Sequence, residues 1–125
     1  MSANPFTPKA YLREGCPFSF KFLTFLSEAG LLDRFEIVRL NPQGPNFQSE
    51  KDKLSQGLGK PATFPVVEIE PGRYMSDSDR LIERYADQAH LKPDSMPVLS
   101  FYKETIFPKL LELHQIKHPK TAASR

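Results

Sequence analysis

Tryptophan is absent from the 125 residues, and cysteine occurs once, as Cys16. A lone cysteine excludes an internal disulfide, and with three scattered histidines it cannot build a cysteine-rich zinc site. No apolar run approaches the roughly eighteen residues a membrane span needs. Met1 to Lys9 also lacks the apolar stretch of a secretory signal, so a soluble, cytoplasmic protein is expected. An excess of charge of one sign is missing too. The 17 basic and 15 acidic residues intermix to leave +2, with a weak basic tail at Lys117, Lys120 and Arg125, and nucleic acid is not an expected partner. His114 and His118 would share a helix face, but no third ligand follows at useful spacing, so they read as solvated side chains.

What is present suits a packed core. Hydrophobic residues make up 39%, including ten Phe and four Tyr, and the length fits one ordinary domain. Twelve prolines punctuate the chain, each fixing φ and removing a donor. Lys9 to Arg13 reads as a short strand. Pro17 to Ala29 carries Phe18, Phe22, Phe25, Leu26 and Ala29 at three- and four-residue spacing, with Gly30 as the stop, which predicts an amphipathic helix. Phe35 to Leu40 reads as a second strand, and this order makes a parallel βαβ unit.

Asn41 to Lys60 is polar and rich in Gly and Pro, with room for a short helix around Gln48 to Leu54. Val66 to Glu70, Pro71-Gly72, and Arg73 to Met75 read as a hairpin, because Pro-Gly suits the centre of a type II turn. Ser78 to Ala89 places Leu81, Ile82, Tyr85, Ala86 and Ala89 on one helical face. Beyond Pro93, Val98 to Ile116 reads as helix kinked or divided near Pro108, and the chain from about Pro119 onward as frayed. The expected organisation is a domain over 1–92 and a helical extension with a frayed tail over 93–125.

Cys16 falls between the first strand and the first helix and precedes Pro17, the residue favoured at the first helical position. Cys16 is therefore the expected N-cap. A sulfur there faces unpaired backbone N–H groups, those of Phe18 and Ser19, and the positive end of the helix dipole, which favour thiolate over thiol. Taken alone, a cysteine in a turn reads as a small packed hydrophobe, as most lone intracellular cysteines are.

Cys16-Pro17-Phe18-Ser19 resembles the glutaredoxin motif C-P-Y-C with serine in place of the second cysteine. C-P-F-S is similar to the motif of dehydroascorbate reductases and chloride intracellular channel proteins, and omega-class glutathione transferases share its C-P-F core. Thr63-Phe64-Pro65-Val66-Val67 resembles the T-V-P-V segment of thioredoxin-like folds, whose proline is cis. Met75 to Ile82 resembles the transferase stretch in which an acidic residue and a serine open a helix beneath the γ-glutamyl group. The resemblance covers about Lys9 to Ala89. It implies an α/β, thioredoxin-like fold, βαβ then ββα, with a four-stranded mixed sheet flanked by helices and here an extra C-terminal helical segment. It also implies glutathione as cofactor.

The roles it implies are specific. Cys16 would be the nucleophile, with Ser19 donating to its thiolate or filling the first helical turn. Phe64, before cis Pro65, would offer its backbone to the cysteinyl part of glutathione. Asp77 would accept from the α-ammonium and Ser78 would bind the γ-glutamyl carboxylate, although ordinary helix capping explains the pair equally well. Arg13 could support the thiolate or the glycine carboxylate, for which Lys51, Lys53 and Lys60 are alternatives. Two departures stand out. Only 32 residues follow Pro93, where the resemblance would lead one to expect a helical domain of roughly a hundred residues, and Ser76-Asp77-Ser78 stands where lone glutaredoxins often have a glycine-acidic motif.

The leading expectation is a single-cysteine glutathione-dependent thiol-disulfide oxidoreductase or transferase, acting on small molecules, dehydroascorbate among them, or on glutathionylated proteins. A non-catalytic binding or redox-sensing module is the alternative, with the C-terminal helix as a possible homodimer surface. A third reading, an iron-sulfur cluster shared by two copies, would follow single-thiol glutaredoxins, though those carry C-G-F-S.

Overall fold

Alternation along the strands decides which residues face which layer. In β1 (Lys9–Arg13), Ala10 and Leu12 are buried on one face while Tyr11 turns to the other. In β3 (Val66–Glu70), Val67 and Ile69 join the first face and Val66 the second. The sheet is therefore covered on both sides. The structure, a computed structural model, describes residues 6–117, with side chains through residue 113.

The sheet has the order β2-β1-β3-β4, with β2 at Glu36–Leu40 and β4 at Arg73–Ser76. β1 runs parallel to β2, with Ala10 opposite Ile37, and antiparallel to β3, with Ala10 opposite Val67. β3 and β4 form the expected hairpin, in which Gly72 takes φ +73, as the second turn residue of Pro71-Gly72 requires. This is the four-stranded mixed sheet that the order of elements predicts.

Helices α1 (Pro17–Glu28) and α3 (Ser78–Ala89) cover one face. Phe22, Phe25, Leu26 and Leu81 there are fully buried against Ala10 and Val67. Each such side chain contributes about 2–3 kcal/mol by leaving water. Helix α2 (Phe47–Leu58) covers the other face through Leu54. It is longer than the expected Gln48 to Leu54. A Cβ at Gly57 would lie 2.6 Å from the Tyr74 ring, so this glycine admits close packing within the helix, which runs on to a left-handed Gly59.

The C-terminal segment is one continuous helical path. It consists of α4 (Pro97–Phe101), a π-helical turn over Tyr102–Ile106, and α5 (Phe107–Lys117). Pro108 does not divide it. A proline ring clashes with the carbonyl four residues back, and the wider turn just before it takes up that clash. Both carboxylate oxygens of Glu28, at the end of α1, accept from the first N–H groups of α4: Val98 at 2.9 Å and Leu99 at 2.8 Å. Leu99 is fully buried in the core. The expectations for His118 and for the chain from Pro119, like that for the His114 side chain, lie outside the described residues. Among the described residues, no helix is long and apolar enough to cross a membrane.

Candidate functional site

The chain leaves β1 at Arg13, turns at Gly15 with φ +79, and enters α1 at Pro17. Only a residue free of Cβ crowding takes that φ easily, so Gly15 delivers Cys16 to the N-cap. The Ser19 N–H donates to Cys16 Sγ at 3.4 Å, and the thiol donates a long contact of 3.9 Å to the Phe64 carbonyl oxygen. The buried Ser19 hydroxyl accepts from the Arg13 N–H at 3.1 Å. Its side chain thus fastens the strand end to the helix, while its backbone contacts the sulfur. The Arg13 guanidinium lies 5.7 Å from the centre of the Phe47 ring.

Across from the sulfur, the Phe64-Pro65 peptide is cis and leads into β3. At the end of β4, Asp77 adopts φ +85, an unusual value for a residue with a side chain. Its Oδ1 accepts from the Asp79 N–H at 3.0 Å and the Arg80 N–H at 3.4 Å, so the carboxylate caps α3. Ser78, at the first helical position, is buried. Asp77 and Ser78 open onto a cavity of about 300 Å³ that Thr63, Phe64, Phe18 and Lys60 also line. Of the three lysines left open by the sequence, Lys60 borders this cavity, whereas Lys53 pairs with Glu50 at 3.8 Å.

Cys16 lines other cavities. Arg13, Gly15, Cys16 and Phe20 line two adjoining cavities, of about 320 Å³ reaching Leu23 and Ile37, and of about 610 Å³ reaching Pro42, Leu110 and Leu113. The predicted residues therefore fall into two groups: Phe64, Asp77 and Ser78 on one side, Arg13, Cys16 and Ser19 on the other. They meet where Sγ approaches the Phe64 carbonyl.

Helix α5 completes both sides, which the sequence reading did not foresee. Phe107 and Leu111 border the first cavity and Leu110 and Leu113 the second. Their apolar pattern was visible, but nothing local says where a C-terminal helix docks. Phe107 meets Phe18 edge-on, with centroids 5.1 Å apart. The Tyr102 hydroxyl donates to the Pro17 carbonyl at 2.7 Å, beside the cysteine. Burial pushes that hydroxyl up to about 12, with the charge of Cys16 adding to the shift. Among the described residues, no group of three or more His, Cys, Asp or Glu is placed to hold a metal ion.

Solved structures share this fold. Glutathione transferase Omega 3C from Trametes versicolor matches with a TM-score of 0.52 at 16% identity, over 88% of this chain and 44% of its own. The fold is that of the glutathione transferases. A possible glutathione S-transferase from Rhodopseudomonas palustris matches with a TM-score of 0.54 at 17% identity, over 89% of this chain and 58% of its own. Glutathione transferase Omega 2C from Trametes versicolor matches with a TM-score of 0.51 at 16% identity, over 90% and 48%. The chain thus spans about half the length of these glutathione transferase-like structures. No protein-family model and no curated protein matches the sequence.

Proposed function

We propose that this chain is a glutathione-dependent thiol transferase working through Cys16 alone. The observation that carries the reading is the position of the sulfur: at a helix N-cap, 3.4 Å from the Ser19 N–H, against the carbonyl that precedes cis Pro65. The Cys16 thiolate attacks the glutathione sulfur of a mixed disulfide. The old S–S bond breaks and the substrate leaves as a thiolate that takes a proton from solvent. A second glutathione thiolate then attacks the Cys16 mixed disulfide, releasing oxidised glutathione and restoring the Cys16 thiolate. Overall, one mixed disulfide and one glutathione give one free thiol and one oxidised glutathione.

In this reading the backbone of Phe64 and Pro65 holds the cysteinyl part of glutathione, Asp77 accepts from the α-ammonium, Ser78 binds the γ-glutamyl carboxylate and Lys60 takes the glycine carboxylate. Arg13, on the far side of the sulfur, stabilises the departing thiolate, and the larger cavity beside Leu110 and Leu113 receives the substrate. Residues 1–92 are the glutathione-binding domain and 93–125 its extension, acting in the reducing cytoplasm, with the C-terminal helix available to a second copy.

Oxidised glutathione added to the native protein should give one adduct by intact mass, which reduced glutathione removes. Cys16→Ser should give no adduct and no turnover, because an unassisted hydroxyl is far too weak a nucleophile at neutral pH. A specific observation favours a second reading, a binding or redox-sensing module: the cavity that Asp77 and Ser78 border is not one of those that Cys16 lines. A thiol inert in the native protein and reactive after unfolding would decide for that module and against the enzyme.

A further inference from the structure

We propose that Lys21 is the positioning residue for the wall that α5 contributes to the cavity of Asp77 and Ser78. The cavity's ligand rests on the function proposed above, while the clamp rests on geometry alone.

Lys21 lies in the second turn of α1, and its side chain is only 5% exposed. Burying an ammonium is costly unless it is paired, so its surroundings must compensate. Its Nζ lies 2.8 Å from Asp79 Oδ1, in the first turn of α3. The same Nζ lies 4.4 Å from the centre of the Phe107 ring and 5.6 Å from that of Phe18. A cation at these distances is attracted by the negative face of a ring, and more so where water is excluded. One buried charge therefore touches α1, α3 and α5 together.

Phe18, Asp79 and Phe107 all border the cavity. Without the ammonium, Phe107 loses its cationic contact, and Asp79, whose side chain is 71% exposed, loses this ion pair beside the place where a ligand carboxylate meets Ser78. Removing the charge should then loosen the α5 wall and weaken ligand binding, yet spare the chemistry at Cys16, which lines other cavities.

The test compares Lys21→Met, which keeps the length and removes the charge, with Lys21→Arg, which keeps the charge. Hydrogen exchange of residues 107–113 should quicken by about tenfold in Lys21→Met while residues 81–86 exchange as before. The KM for glutathione should rise about fivefold with kcat within about twofold. Lys21→Arg should restore both. Should Lys21→Met fold poorly, Phe107→Leu removes the ring face from the other side and should raise KM in the same way. Adding Lys21→Arg to Phe107→Leu should then change nothing further. Unchanged exchange in 107–113, a joint rise in both segments, or no recovery in Lys21→Arg overturns the proposal. If wild-type protein shows no turnover with glutathione, the proposed function fails, and the exchange comparison still decides the clamp.

Discussion

Replacing Tyr102 by Phe removes one oxygen at the point where the C-terminal helix meets the helix that Cys16 caps. The lost contact is the 2.7 Å hydrogen bond to the Pro17 carbonyl. A carbonyl at the first helical position also serves the N–H four residues on, so the change removes one bond without leaving an orphaned acceptor, a cost of about 1 kcal/mol. At neutral pH the melting temperature should fall by about 4 °C. The alkaline limb gives a second, sharper check. Burial, aided by the Cys16 charge, raises this hydroxyl from its ordinary 10.0 to about 12 in the folded state. The unfolded chain therefore loses its proton first. Stability is full below pH 10 and falls as pH rises through the folded value, by about 1.4 kcal/mol per unit across that window. Tyr102→Phe has no such proton to lose. The variant should be less stable than wild type at pH 8 and match it near pH 11, where the wild type has given up about what the hydrogen bond was worth. Urea unfolding at pH 8, 10 and 11 reads both terms. A stability difference that stays constant across that range would refute the assignment of the raised value to Tyr102. Equal stability at pH 8 would refute the worth of the hydrogen bond.

Two further substitutions separate packing from binding. Asp77→Asn keeps an oxygen that can cap α3 and tolerates positive φ, so stability should change by less than about 0.5 kcal/mol while glutathione binding weakens about tenfold; equal losses in thermal melting and titration calorimetry would make the carboxylate a cap and nothing more. Gly57→Ala tests the α2–β4 contact. Helix propensity alone favours alanine by about 1 kcal/mol, but a Cβ 2.6 Å from the Tyr74 ring forces a shift. Overpacking costs about 1–3 kcal/mol, so the variant should be neutral to destabilised, and a raised urea midpoint would show that the ring yields freely.

The sequence by itself determined what one stretch of chain decides alone. Cys16 before Pro17 marks an N-cap whatever surrounds it, since the unpaired N–H groups of a helix start belong to the helix. The glycine after α1, the Pro71-Gly72 turn and the apolar face of α3 were legible for the same reason. The tertiary structure decided what depends on partners distant along the chain. The local pattern offers a short helix over Gln48 to Leu54, and only the folded structure shows it running past Gly57, packed against the Tyr74 ring. Asp77 capping α3 and Asp77 facing a cavity look identical in sequence, because the cap is local and the cavity needs Lys60 and Phe64 from one distant loop and Phe107 from α5. Nothing local to Lys21 tells of its burial, which comes with Asp79 of α3 and Phe107 of α5 packed about its ammonium. Local hydrogen bonding and periodicity are written in neighbouring residues, whereas burial and cavity shape arise from surfaces that meet only after the chain has folded.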